Sequence, residues 1–400
     1  MKKCFFVICI LLIHNFLIGS TKSNYLIVLS MDGFRWDYTN MVETPNLDKI
    51  EKLGFKSEII PSFPTKTFPN HYTMATGLYP DSHGIVLNDH FNYSKKEWYT
   101  ISNRRTVEDG RFYGGEPIWN TAEKQDITTA TLFWVGSEAD VNGMQPTYWK
   151  KYNHDMPFDS RIDTVISWLH KPLESRPKFI MWYLHQPDSW GHKLGPDSPD
   201  LLPKIQYLDS LVGIFTKSLQ ALPIRDSINI IITSDHGMGQ LSRDRVELID
   251  TYVKKEWLEK QTGANPIYMF EPKTEFLDSV FINLQRAKHL TTWRKSDIPT
   301  YLHYGTHKNI MPIVTVADSG WSIYWKKGLE KETYLGGTHG YDNTNRDMHA
   351  IFYAFGPDFK LNAEHPSFAN IHLYELMCKL LNIEPAKNDG NLNEVKEMLK

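Results

Sequence analysis

The sequence predicts an α/β fold: a mostly parallel central sheet between helix layers, with inserted loop regions around it. Three observations carry this prediction. Apolar runs rich in strand formers, YLIVLS (25–30), KFIMWYL (178–184) and INIIITS (228–234), alternate with segments of helical spacing. The 228–234 run is apolar enough for a strand covered on both faces, as a parallel sheet between helices requires. The runs also lead into polar loops that carry Asp32, Asp188 and Asp235 with His236.

The elements follow in chain order. The first 23 residues open with two lysines, followed by an apolar run from Cys4 to Ile13 and small polar residues beyond it. They read as a cleaved secretory signal peptide, because the apolar run falls short of the ~20 residues that span a bilayer. The strand at 25–30 comes next. In TPNLDKIEKLG, Thr44 is the expected N-cap, Pro45 the first helical residue, Leu47, Ile50 and Leu53 the buried stripe, and Gly54 the stop. A long helix is expected around 201–222 and a closing helix over 371–381, with further strands in MPIVTVAD, WSIYW and HAIFYAFG. Segments 89–176 and 250–308 mix aromatic and charged residues without clean periodicity and read as excursions from one core. No repeat or Ser/Gly linker marks a second domain. The catalytic domain is therefore placed at 24–390, with 391–400 as a polar tail.

Composition narrows the function. A net charge of −3 offers no basic field for a polymeric nucleic acid, so none is expected as a partner. With Cys4 and Cys9 in the signal segment, only Cys378 remains, which excludes an intrachain disulfide framework; its apolar helical setting reads as a small buried hydrophobe. No transmembrane helix is expected in the mature chain. Asn92, in NYS, is the one sequon, expected on an exposed loop if glycosylated.

The chemistry lies in where metal-capable side chains fall. Sites in open α/β sheets form beyond the carboxyl ends of the strands, so the loops carrying Asp32, Asp188 and Asp235–His236 can converge on one crevice. In HQPDSWGHKLGPDSP, Asp188 and His192 stand four apart with Gly191 between them, and the glycine-rich LGGTHGYDN holds His339. Asp and His without cysteine suit Zn²⁺ or Mn²⁺. Thr67, in PTKTFPNHYT, stands at or near a helix N-terminus, where free amides and the dipole favour phosphate. Its hydroxyl becomes a nucleophile only when a metal or base removes the proton. Each of these residues alone is an ordinary turn or cap; only the set has weight.

The set resembles the nucleotide pyrophosphatase/phosphodiesterase family of the alkaline phosphatase superfamily. The resemblance rests on SMDGFRWDY, PTKTFPNHYTMATGLYPDSHGI, PDSWGHKLGPDSP, TSDHGM and GTHGYDN in that order, spans Tyr25 to Leu381, and fits the short, single-domain branch. It implies an alkaline-phosphatase-like fold and two Zn²⁺ per chain, one on Asp188, His192 and His339, the other on Asp32, Asp235 and His236 with Thr67. It implies that Asn88 binds a non-bridging phosphate oxygen and that Phe68 and Tyr152 stack a nucleobase, whereas Trp134 reads as wall or core. The activity implied is extracellular hydrolysis of small nucleotides, such as dinucleotides and nucleoside triphosphates, to 5′-monophosphates through a phosphothreonine. The rival readings are a choline-phosphate or lysophospholipid diesterase, a phosphomonoesterase or mutase, and an inactive binding protein. The sequence says nothing of oligomeric state.

Overall fold

The strand Tyr25–Met31 sits near the middle of an eight-stranded sheet, and its residues alternate between two hydrophobic layers. Tyr25, Ile27, Leu29 and Met31 enter the layer covered by helices Pro45–Leu53, Phe158–Leu169 and Leu202–Gln220. Leu26 and Val28 enter the opposite layer, under helices Thr67–Thr76, Ile118–Glu123 and His372–Leu381. This double burial is why the run carries no polar alternation. The computed structural model describes residues 24–330, 336–363 and 365–400, so the expected signal peptide lies outside it.

The strand order is Phe368–Ala369, Gly54–Ile60, Ala350–Phe355, Ile228–Thr233, Tyr25–Met31, Phe179–Leu184, Thr129–Leu132 and Tyr148–Lys150. Ala350–Phe355 runs antiparallel to both of its neighbours and every other pairing is parallel. The three apolar runs thus lie side by side, and their carboxyl ends deliver Asp32, Asp188 and Asp235 to one edge of the sheet.

Two expectations are refined. The 89–176 segment supplies two strands of the main sheet as well as the helix Phe158–Leu169. The 250–308 segment builds, with Ile313–Ala317 of MPIVTVAD, a separate four-stranded antiparallel sheet. WSIYW pairs with Val246–Leu248 rather than joining the main sheet. Local geometry also differs at Thr44: its hydroxyl bonds the Asp48 carboxylate (3.1 Å), and the helix amides of Asn46 and Leu47 are capped by buried Asp209 of Leu202–Gln220 (3.2 and 2.8 Å). A side chain distant in sequence does the work assigned to the N-cap. Cys378 is buried in the second layer, as are Val395 and Met398, so residues read as a polar tail fold back onto the core.

The connection from helix Thr67–Thr76 toward Asn88 encloses His83 and His90, both buried. The Ile85 amide donates to His83 Nδ1 (3.2 Å), and His90 Nδ1 donates to the Leu87 carbonyl (3.2 Å). Burial pushes His83 down to about 3 and His90 down to about 4. Unfolded histidine titrates near ~6.5, so below that pH the unfolded chain takes up protons that the folded chain refuses. Stability is therefore full above ~6.5 and is lost as pH falls toward the folded values, by about 2 kcal/mol per histidine near pH 5. Tm is expected to fall by several degrees between about pH 7.5 and 5, with a shallower slope in His90→Phe. Equal slopes in the two proteins would contradict this role for His90.

Candidate active site

Asp32 follows the first strand and is buried. Its Oδ2 accepts a hydrogen bond from the Tyr183 hydroxyl (2.5 Å), while its Oδ1 has no hydrogen-bond partner. Gly33 then turns the chain at φ +69°, and a Cβ there would lie 2.8 Å from Asp188 Cα. Glycine is required on both counts, conformation and approach. The close approach lets the Asp188 amide donate to the Asp32 carbonyl (2.9 Å), which locks the two acidic loops together.

Asp235 and His236 follow Ile228–Thr233 and are fully buried. Asp235 Oδ1 accepts from the Gly33 amide (3.2 Å). Its Oδ2 lies 3.1 Å from His236 Nε2 and, like Asp32 Oδ1, lacks a hydrogen bond. His236 Nε2 is also 3.4 Å from Asp32 Oδ1 and 3.2 Å from Thr67 Oγ1. The His236 nitrogen therefore has two carboxylate oxygens and the Thr67 hydroxyl around it, and the ligand atoms of Asp32, Asp188 and His236 lie within 4.8 Å of one another, a group that does not include Asp235.

Asp188 and His192 lie on the short helix Asp188–Leu194, which continues through Gly191, where the sequence suggested a loop turn, and ends at Gly195. Asp188 Oδ1 is 3.3 Å from His192 Nε2 and 3.6 Å from His339 Nε2, and it too has no hydrogen-bond partner. The two groups abut: Asp188 also lies within reach of Asp32 and His236, and the His236 and His339 rings stack at 3.5 Å.

The three histidines share one device. His192 Nδ1 donates to the Gly337 carbonyl, His236 Nδ1 to the Gly237 carbonyl and His339 Nδ1 to the Thr65 carbonyl, each at 2.8 Å. A carbonyl only accepts, so Nδ1 carries the proton and Nε2 turns its lone pair toward the carboxylates. This is the outer-shell arrangement of metal-ligating histidine. Three orphaned carboxylate oxygens and three imidazole lone pairs, with no donor among them, fit cations. Their hard-to-borderline O and N character fits Zn²⁺ or a similar divalent ion.

The electrostatics agree. Burial, then the Asp235 and Asp188 carboxylates, raise Asp32 well above the usual carboxylate range. Burial opposes ionisation of Asp235 as well, but His236, His71 and the Gly33 amide hold its carboxyl well below that range. Burial and the neighbouring His236 push His339 far down, keeping it neutral and able to ligate.

Thr67 opens the helix Thr67–Thr76, with Lys66 at the N-cap position. Asn88 Oδ1 accepts from the Phe68 amide (3.0 Å), which leaves the Asn88 NH₂ for an oxygen of a bound group. Phe68 and Tyr152 both line a cavity of about 380 Å³ that includes Thr67, Asp32, Trp134 and Glu138. Trp134 is buried and its indole donates to the His71 carbonyl (3.0 Å), so it serves as both wall and core. Asn92 is buried at the end of a hairpin strand rather than on an exposed loop, with its Oδ1 accepting from the Lys95 amide (3.0 Å).

Four supporting residues were not singled out from the sequence. Lys66 is buried and donates to the carbonyls of Asn265 (2.9 Å) and His339 (2.6 Å), tying the His339 loop to the Thr67 segment; burial lowers it to about 7. His71, one helical turn after Thr67, sets Nδ1 3.3 Å from Asp235 Oδ2, and its i+4 spacing was a readable signal. Tyr183 orients Asp32. Glu138 accepts from the Tyr152 amide (3.0 Å) and pairs with Arg104, fixing the rim of the aromatic cavity.

Fold and site together define the class, an α/β protein with a mostly parallel sheet whose Asp and His residues are set out to hold metal beside a threonine hydroxyl. The chain belongs to the type I phosphodiesterase/nucleotide pyrophosphatase family, whose model matches residues 26–342. It is 36% identical over 386 residues to venom phosphodiesterase 2 of Crotalus adamanteus, covering 94% of this chain and 47% of that protein. It thus spans about half the length of the venom phosphodiesterases it matches. To human ectonucleotide pyrophosphatase/phosphodiesterase family member 5 it is 35% identical over 376 residues, 94% of this chain and 78% of the relative. The solved structure of that human protein matches with a TM-score of 0.89 at 35% identity, covering 94% of this chain and all of that one. An inactive threonine-to-alanine variant of the murine protein, in complex with AMP, matches with the same TM-score at 34% identity and the same coverage. No helix among the described residues is long and apolar enough to cross a membrane.

Proposed function

We propose that this chain is a secreted zinc phosphodiesterase that hydrolyses phosphodiester or phosphoanhydride bonds of small nucleotides, releasing a 5′-monophosphate through phosphorylated Thr67. One observation carries the reading: the His236 imidazole meets Thr67 Oγ1 beside the orphaned oxygens of Asp32 and Asp235, and Thr67 lies on the wall of an aromatic cavity. The AMP complex of the murine relative, and that variant's inactivity after a threonine-to-alanine change, support it.

Asp188, His192 and His339 would hold one Zn²⁺, and Asp32, Asp235, His236 and Thr67 the other. Bound there, the ions supply Lewis-acid activation and neutralise charge on the phosphoryl oxygens. The chain's own groups do the rest. Asn88 NH₂ binds a non-bridging oxygen, and the rings of Phe68 and Tyr152 hold the base. Thr67 Oγ forms a bond to phosphorus as the bond to the departing oxygen breaks, and that oxygen keeps the electron pair. Water then adds to phosphothreonine from the opposite side, releasing the monophosphate and restoring the hydroxyl.

The test is a substrate panel with zinc: a dinucleotide, a nucleoside triphosphate, glycerophosphocholine and a nitrophenyl monoester. The nucleotides are expected to be cleaved fastest, and faster turnover of the choline ester or the monoester would overturn the nucleotide reading. Phe68→Ala and Tyr152→Ala are each expected to raise KM for nucleotides about tenfold with a smaller effect on kcat, since one base stack contributes ~1–3 kcal/mol. An unchanged KM would remove that ring from the base site.

A further inference from the structure

The reaction centre opens on a second cavity, of about 620 Å³, on its other side. It shares Asn88, Ser189, His192 and His339 with the aromatic cavity but includes neither Thr67 nor Asp32. In-line displacement puts the departing oxygen opposite the attacking one, and this cavity meets the centre at His192 and His339 rather than at Thr67. The linings of the two cavities differ in charge. The aromatic cavity has Asp32, Asp188 and an Arg104-paired Glu138 in its wall, whereas the second, among the described residues, has Lys66 and Lys193 and no carboxylate. Lys193 is exposed and directly follows His192 on the helix Asp188–Leu194. The hairpin residue Asn265 and Tyr324 close the far side.

We propose that this cavity receives the leaving half of the substrate, and that Lys193 selects leaving halves that carry a phosphate of their own. The inference rests on the nucleotide reading above and narrows its substrate class to nucleotide anhydrides, as in dinucleotides and nucleoside triphosphates. When the bond from phosphorus to the bridging oxygen breaks, the electron pair stays on that oxygen. The departing group then leaves as a phosphate anion that needs no proton, and its added negative charge falls beside the Lys193 ammonium. A phenolate leaving group carries only the charge of its departing oxygen, without the charges of a phosphate, and a choline leaving half is a cation. A cavity of this volume lies within the range that encloses a small ligand.

The test compares kcat/KM for a dinucleotide such as NAD with that for a nucleoside nitrophenyl phosphate, whose leaving group has no phosphate. In Lys193→Gln the ratio of the two is expected to fall about tenfold, and Lys193→Arg is expected to retain it. For an exposed cation, the wild-type ratio should also fall as salt rises from roughly 20 to 200 mM, while that of Lys193→Gln stays flat. A ratio unaltered by Lys193→Gln, with both substrates still hydrolysed, overturns the leaving-half assignment alone. Failure of the wild-type protein to cleave either substrate overturns the nucleotide reading beneath it.

Discussion

Thr67→Ala is expected to lower kcat for every substrate by about 10³-fold or more, with metal content, fold and nucleotide affinity retained. The size follows from the role: losing the nucleophile removes a covalent step whose partners act as a unit, and such losses run to several orders of magnitude. Retention of fold follows from position. Among the described residues the Thr67 hydroxyl has one side-chain partner, His236 Nε2, and the helix it opens is anchored independently by buried Asn70, His71 and Tyr72. Retention of metal follows because Asp32, Asp235 and His236 keep their mutual geometry without the hydroxyl. Thr67→Ser should recover much of the rate. The measurement is a progress curve alongside metal analysis and trapping of ³²P-labelled protein from a labelled nucleotide. Turnover in Thr67→Ala near the wild-type rate would remove Thr67 from the mechanism.

Most of this site was legible because the chemistry sits where a parallel sheet must put it. Buried strands announce themselves as apolar runs, and the first acidic residues beyond them, Asp32, Asp188 and Asp235, stand at the carboxyl ends where loops converge. His192 was tied to Asp188 by four-residue proximity in a segment read as a loop, which the structure folds as a helix. What escaped were residues whose role depends on a partner distant in the chain. Lys66 works only because the His339 loop and the Asn265 hairpin close over it, 273 and 199 positions away. Tyr183 looks like one more apolar strand residue until Asp32 lies 2.5 Å from its hydroxyl. The antiparallel sheet over 258–317 escaped for another reason: a strand such as LEKQTGA, half-buried and polar, has no hydrophobic period to display.

Chelation is expected to abolish hydrolysis and also to lower Tm, with both restored by Zn²⁺. The site is built at a loss that only cations offset. Asp32, Asp188 and Asp235 lie within contact of one another's histidines in a buried centre, and one oxygen of each has no donor. Without metal, the repulsion among these carboxylates destabilises the folded state, in keeping with the raised position of Asp32. A ligand that binds only the folded chain contributes about 4 kcal/mol when present at ~1,000 times its Kd, so a Tm loss of several degrees follows on its removal. Asp32→Asn separates the two roles. It is expected to raise the Tm of the metal-free protein, because one buried charge is gone, while weakening metal binding and lowering activity. A Tm indifferent to chelator, or an Asp32→Asn protein less stable than wild type without metal, would show that hydrogen bonding rather than ions holds the centre.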